Sequence, residues 1–315
     1  MLSCALAEEW HYAPLEKAER EELQREYSDA YTMLDDKSIS DVSGAMVKLY
    51  HCVDKNYLPA CPLLLDVYEG MRKGLEADPE KAFQLAAHLS DMKFPPGVDV
   101  YDGDRETRTE AMYRLALYYE RGFGCDRSLK DAYAWMRQAA QKGYRPAQAE
   151  IARYLMNGIG HKPDSKSAFR ILYYLHLKAP ETPNLYFYLG CLSLRGINGS
   201  TPNVRLAKDA FEHGAALHDA RAINNLASLY EHGVGVKKNA AQALRLYKQA
   251  ADLGSKDASV NMQRLNYKTD KEHRPSTTWK QRFGSAAVRV LNAMPMDEAL
   301  RLWLESPLRL LAAES

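Results

Sequence analysis

The chain has 315 residues, 46% hydrophobic and 26% charged with a formal charge of +1, a composition ordinary for a folded globular protein. The near-neutral balance excludes the strong basic excess of a nonspecific nucleic-acid binder, and no apolar run approaches the roughly 18 to 20 residues that cross a bilayer. Five cysteines, Cys4, Cys52, Cys61, Cys125 and Cys191, make no C-x-x-C pair and share no periodic position, so they read as small core or loop residues and predict no zinc site.

In chain order, Met1-Leu2-Ser3-Cys4 is similar to the trimmed end of a lipoprotein signal, and Ala5-Leu6-Ala7 before Glu8 has the small-x-small pattern of a signal-peptidase site. These features point to a periplasmic or envelope-associated protein with a lipid anchor at Cys4, against a cytoplasmic alternative. Residues 14–35 carry Leu15, Leu23, Tyr27, Tyr31 and Leu34 among many charges behind Pro14, which predicts an amphipathic helix. Residues 35–41 break it, and a short helix over 45–56 completes an N-terminal cap. Residues 93–104 then interrupt the pattern with two prolines and two aromatics. There Asp99, Asp102 and Asp104 have a spacing partly like that of calcium ligands, without the full set, so a packed or partner-facing loop is the stronger reading.

From residue 111 the chain repeats. Turn glycines at Gly122, Gly158, Gly196 and Gly233 follow one another at intervals of 36, 38 and 37 residues. Eleven positions before them stand Ala111, Ala147, Leu185 and Ala222; seven before stand Leu115, Ile151, Leu189 and Leu226; six before stand Ala116, Ala152, Gly190 and Ala227. Small and aliphatic columns at helical spacing bring two helix backbones close together. Beyond the glycines, Ala132, Ala168, Ala207 and Ala243 open a second helix, with Gly143 and Gly254 as stops. Each copy is therefore a helix, a glycine turn and a helix, because reversing the chain between antiparallel helices calls for positive φ.

These residues resemble the Sel-like repeats, relatives of the tetratricopeptide repeats, whose units carry a Y-x-x-G-x-G-V turn and an A-x-x-W/Y-x-x-x-A-A-x-x-G helix. Tyr119 to Gly124 with Ala132, Trp135, Ala139, Ala140 and Gly143 fits that pattern, and Tyr230 to Val236 with Tyr247, Ala250, Ala251 and Gly254 fits it more fully. The copy from Ala147 departs, with Leu175-His176 in place of the Ala-Ala pair. The copy from Leu185 has an extra loop residue, and a degenerate copy spans residues 60–87. The resemblance implies an all-α, right-handed solenoid of about five antiparallel helix pairs. Residues 1–59 would form N-terminal helices and a cap, 60–266 the solenoid with its 93–104 insertion, and 267–315 a linker and C-terminal cap. In that last part, helices are expected over 279–293, 296–305 and 308–313, with apolar residues that cap the last repeat or dock on a partner.

No motif for chemistry emerges. There is no G-x-S-x-G elbow and no H-E-x-x-H helix, and the glycine pairs lack a phosphate loop's lysine and preceding strand. Neither catalytic residues nor a cofactor or metal is assigned. The informative positions are repeat columns that vary. Nine and eight before each turn glycine are Tyr113-Arg114, Ala149-Glu150, Phe187-Tyr188 and Asn224-Asn225. Five before are Leu117, Arg153, Cys191 and Ser228; one before are Arg121, Asn157, Arg195 and His232. They share one side of the first helix, which the resemblance places on a concave surface, and their arginines and aromatics have the composition of a binding hot spot. The reading is a noncatalytic protein-binding scaffold whose groove clamps an acidic partner. The resemblance implies bacterial roles, with immunity or adaptor protein for a secreted toxin or effector ahead of envelope or exopolysaccharide assembly and host interaction. An enzyme or small-ligand binder using the 93–104 loop is the remoter alternative.

Overall fold

Glycine turns set the architecture. The computed structural model describes residues 12–35, 42–72, 75–98, 100–197 and 200–273, all as helices and connections. The signal-like residues 1–7 with Cys4, the aspartate Asp99 and the helices expected over 279–313 lie outside the described residues. The chain divides into two compact units, Met1–Lys162 and Pro163–Ser315. In the first, the helices are α1 (Lys17–Asp35), α2 (Val42–Asp54), α3 (Cys61–Tyr68), α4 (Pro79–Asp91), α5 (Asp102–Arg121), α6 (Leu129–Gln141) and α7 (Arg145–Asn157). The second holds α8 (Ser165–Lys178), α9 (Leu185–Arg195), α10 (Val204–Ala216), α11 (Ala220–His232), α12 (Ala240–Asp252) and α13 (Lys256–His273). Helix α1 begins three residues beyond Pro14. The insertion over 93–104 gives its last three residues to α5, where Asp102 and Asp104 favour the positive N-terminal end.

First helices end on glycine. Gly122, Gly158 and Gly233 cap α5, α7 and α11 in the left-handed conformation, with φ of 73°, 69° and 75°. The second helices start on a polar cap at a fixed place in the repeat. Side chains of Asp78, Ser128, Asp164, Asn203 and Asn239 accept from the backbone N–H three residues on, in α4, α6, α8, α10 and α12. Four of these capping residues also donate their own N–H back across the turn, to the carbonyls of Tyr68, Tyr119, Ser193 and Tyr230 at 2.8 to 2.9 Å. That bond ties the end of the first helix to the start of the second whatever the intervening side chains.

The columns of small residues do what their spacing implies. In the second unit, a Cβ on Gly190 would lie 2.2 Å from the Phe211 ring, so the fully buried phenylalanine fills the space that glycine leaves. In the first, Leu49, Leu64, Leu85, Leu89, Met112 and Leu115 are nearly or wholly buried. The insertion packs inward: Phe94 meets Tyr12 edge-on at 4.7 Å, and Asp104, only 1% exposed, accepts from Tyr12 Oη at 2.9 Å and from both terminal nitrogens of Arg20 at 3.2 and 3.0 Å. Asp104 thus pins α1 to α5, and Asp102 stands exposed at the helix start.

The second turn glycine is set by its neighbour. A Cβ on Gly160 would lie 1.9 Å from the carbonyl oxygen of Leu129, the first residue of α6, and Gly124 has the same relation to Pro79 of α4. By contrast Gly143, with φ of +91°, has open space around it. Gly143→Ala should therefore cost about 1 to 2 kcal/mol for its backbone conformation alone, and Gly160→Ala about 3 kcal/mol or more. Urea midpoints of the two variants measure the difference, and equal shifts would show that the close approach imposes no constraint.

Candidate functional site

In the first unit the arginines of the variable columns are already engaged. Arg114 on α5 reaches back to α3, with Nη1 on Glu69 at 2.9 Å and Nη2 on Asp66 at 2.7 Å, while its Nε and Nη2 hold Glu110 one turn away. Tyr118 donates its hydroxyl to the same Glu69. Arg153 on α7 grips Glu120 of α5 with two parallel bonds, Nη1 and Nη2 at 2.8 and 2.7 Å, and its Nε holds Glu150 at 2.7 Å. Tyr154 adds its hydroxyl to Glu120 at 2.7 Å. The bidentate geometry is the strong form of this pairing.

Burial alone would raise the Glu120 carboxyl, but hydrogen bonds from Arg153 and Tyr154 and the arginine charges outweigh it and hold it below the ordinary value. Burial opposes the Arg114 charge, and the surrounding carboxylates more than offset it, pushing the guanidinium above its usual range. The other predicted residues of this unit are dispersed. Tyr113 is half-buried with its ring 5.4 Å from Tyr144, Leu117 is half-buried, Glu150 is buried, and Arg121 and Asn157 are exposed.

In the second unit most of the predicted residues are buried. Phe187 and Tyr188 lie under the Arg221 guanidinium, 4.3 and 5.5 Å from their ring centres. Asn225 donates to the Cys191 sulfur at 3.4 Å, and Asn261 of α13 donates to Asn224 at 3.0 Å. Ser228 is buried beside His232, whose Nδ1 meets the Ser228 carbonyl at 2.9 Å, and Arg195 is half-buried. Here too a glutamate bridges successive first helices: Glu231 of α11 accepts from Arg264 of α13 at 2.7 Å and from Tyr247 of α12 at 2.8 Å.

Glu69, Glu120 and Glu231 were the residues that reading single columns missed. Each follows a tyrosine directly before a turn glycine or one residue short of it, and Glu120 and Glu231 both have an arginine 33 residues further on. That spacing, close to the repeat length, was the available signal. The structure thus brings Arg114 and Arg153 together with carboxylates of the preceding first helix, and it buries Glu150, Phe187, Tyr188, Asn224, Asn225 and Ser228 within their own units. Among the described residues no group of three or more His, Cys, Asp and Glu side chains is arranged to hold a metal ion, and no helix is long and apolar enough to cross a membrane. Cys52, Cys61 and Cys191 are buried free thiols, and burial pushes Cys52 up to about 12.

The comparisons with known proteins agree with the glycine-capped hairpins. The Sel1 repeat model matches residues 68–87, 109–144, 145–173, 183–209 and 220–255. The chain belongs to the Sel1-repeat family. Sel1 repeats build helical-repeat solenoids that serve in general as protein-interaction scaffolds. The crystal structure of a Sel1 repeat protein from Oxalobacter formigenes superposes on 88% of this chain and 95% of its own, with a TM-score of 0.58 at 21% identity, a likeness of fold. Chitin synthase regulatory factor 3 of Schizosaccharomyces pombe is 27% identical over 156 residues, 48% of this chain and 16% of that protein. The uncharacterized protein NMB1327 of Neisseria meningitidis serogroup B is 27% identical over 149 residues, 47% of this chain and 30% of that protein. The chain spans only a minor part of these curated relatives.

The Glu231 bridge predicts a response to acid. Burial would raise this carboxyl, but Arg264 and, more weakly, His232 and Tyr247 hold it below 4.5. A depressed carboxylate stabilises the fold above its unfolded value, and that contribution is lost as pH falls below about 4.5 and through the folded value. Glu231→Gln should lose about 2 kcal/mol at pH 7 and show a shallower fall in urea midpoint below pH 4.5 than the parent. Parallel pH profiles in the two proteins would exclude the bridge as a source of acid sensitivity.

Proposed function

We propose that this Sel1-repeat protein is a noncatalytic scaffold that holds another polypeptide, and that it acts as an immunity or adaptor protein for a secreted bacterial toxin or effector. One observation supports the first part: Arg114, Arg153 and Arg264, the tyrosines beside them and their carboxylate partners join successive first helices to each other. Groups locked in charged bonds with one another, the carboxyls held below and the guanidiniums above their ordinary values, have neither the freedom nor the shift toward neutral pH that acid–base or nucleophilic chemistry calls for. What such a frame offers a partner is a shaped surface. The name of the yeast relative, a regulatory factor, suits a chain that acts on other proteins.

The toxin-directed role is carried by the resemblance of the repeats and is tested at the level of the cell. Coexpression with a secreted toxin taken from a neighbouring gene should relieve that toxin's growth arrest, and the purified pair should elute as one complex in gel filtration. A toxin that neither binds nor is relieved would remove the immunity role. Substrate turnover by the purified chain alone would remove the scaffold reading altogether.

A further inference from the structure

In the four second helices from α6 onward, one copy alone turns large apolar side chains outward. Aligned on Ala132, Ala168, Ala207 and Ala243, three exposed columns read Arg137, Tyr173, Glu212, Lys248; then Gln138, Tyr174, His213, Gln249; then Gln141, Leu177, Ala216, Asp252. All twelve residues are exposed, and only α8 presents large apolar side chains there. Tyr173, Tyr174 and Leu177 are 45%, 60% and 61% exposed. Solvation explains the polar choices in the other copies and leaves these three without a reason.

The same face of α8 is cationic. Lys166, Arg170, Tyr173 and Leu177 fall at positions i, i+4, i+7 and i+11, in one line along the helix, with Tyr174 beside them, while Ala168, Leu172 and Leu175 on the opposite side are buried. Lys166, Arg170 and Lys178 are exposed and form no ion pair among the described residues. The helix itself carries no acidic residue. The carboxylates that adjoin it in the chain are Asp164, whose side chain caps α8 by accepting from the Ser167 N–H at 2.9 Å, and Glu181 beyond its end.

A chain of aromatic rings runs inward from this surface to one side. Phe169 stacks on Tyr173 at 5.7 Å, Tyr173 lies 6.0 Å from His176, and His176 adjoins both Tyr186 and His213, which stack on each other at 5.2 Å. His213 Nδ1 meets the carbonyl of Asp209 at 2.7 Å and His176 Nδ1 meets the Tyr186 hydroxyl at 3.2 Å, so both rings are held in place. Rigid tyrosines with a cationic rim are the composition of a protein-binding hot spot, in which aromatic residues and arginine dominate the affinity. A membrane-surface helix is instead marked by Trp, Phe and Leu over a broad apolar face.

We propose that this face of α8 is a docking surface for an acidic amphipathic segment of a partner protein, its carboxylates over Lys166 and Arg170 and its apolar side chains over Tyr173, Tyr174 and Leu177. The inference rests on the scaffold reading and adds the chemistry of what is held. Complementary charge over Lys166 and Arg170 and apolar contact over Tyr173, Tyr174 and Leu177 together define the segment that fits.

The test uses the full chain and a synthetic 18-residue helical peptide that carries Glu in one half and Leu in the other half of a single face, followed by fluorescence anisotropy. The peptide should bind, and two variants should each weaken it at least tenfold: Tyr173→Gln, Tyr174→Gln, Leu177→Gln together, and Lys166→Gln, Arg170→Gln, Lys178→Gln together. All six positions are solvent-facing, so unchanged circular dichroism and urea midpoints should accompany the loss. A peptide with Gln for Glu should bind at least tenfold more weakly, and salt should weaken the Glu peptide further. Absence of peptide binding, or equal binding by the variants, overturns the assignment of α8. Cosedimentation with phosphatidylserine vesicles without peptide binding overturns it in favour of a lipid surface. Failure here with a toxin complex that survives both sets of substitutions would leave the scaffold reading intact and place its contact elsewhere.

Discussion

In the first unit two repeat turns come within van der Waals range of the first carbonyl of an earlier second helix. That approach, seen where Gly160 meets Leu129 and Gly124 meets Pro79, admits no side chain at all, and the rest of the repeat follows from it. With the turn seated on the preceding helix start, the first helices lie near enough for a glutamate at the end of one to reach an arginine of the next. The capping residues then have only one place to stand, and they stand there in all five second helices. Local geometry and packing between repeats are satisfied by the same few positions, which is why a period of about 37 residues tolerates so much change elsewhere.

The helical hairpins were legible because their requirements exclude most side chains. Gly190 and Phe211 show the logic: a column of small residues in the sequence corresponds to a large ring filling the space opposite. The second-helix stops at Gly143 and Gly254 were legible for the same reason, both having φ of 91°, while His218 takes a positive φ after α10 where α6 and α12 use glycine. That exception could not be read from a column, since histidine carries no such conformational signature.

The site was legible only as faces. Offsets from the turn glycines put Arg114 and Arg153 at one register of their helices, but a helix face does not say what lies across from it. Their carboxylate partners, Glu69 and Glu120, come from the repeat before, and the long side chains reach toward them. Phe187 and Tyr188 have the look of exposed anchors in sequence, and Arg221 covers them. The α8 surface lay in columns of the second helix, where a departure from polar residues in the other copies was the only trace.

The bond between Asp104 and Arg20 has a bearing on how the protein tolerates shortening. Proteolysis that clipped the chain within α1 would remove the guanidinium and the Tyr12 hydroxyl together, and would leave the Asp104 carboxylate without either partner at the start of α5. The wound would therefore be felt some eighty residues downstream, in the repeats themselves. Any naturally shorter relative that dispenses with α1 should carry an uncharged residue at position 104.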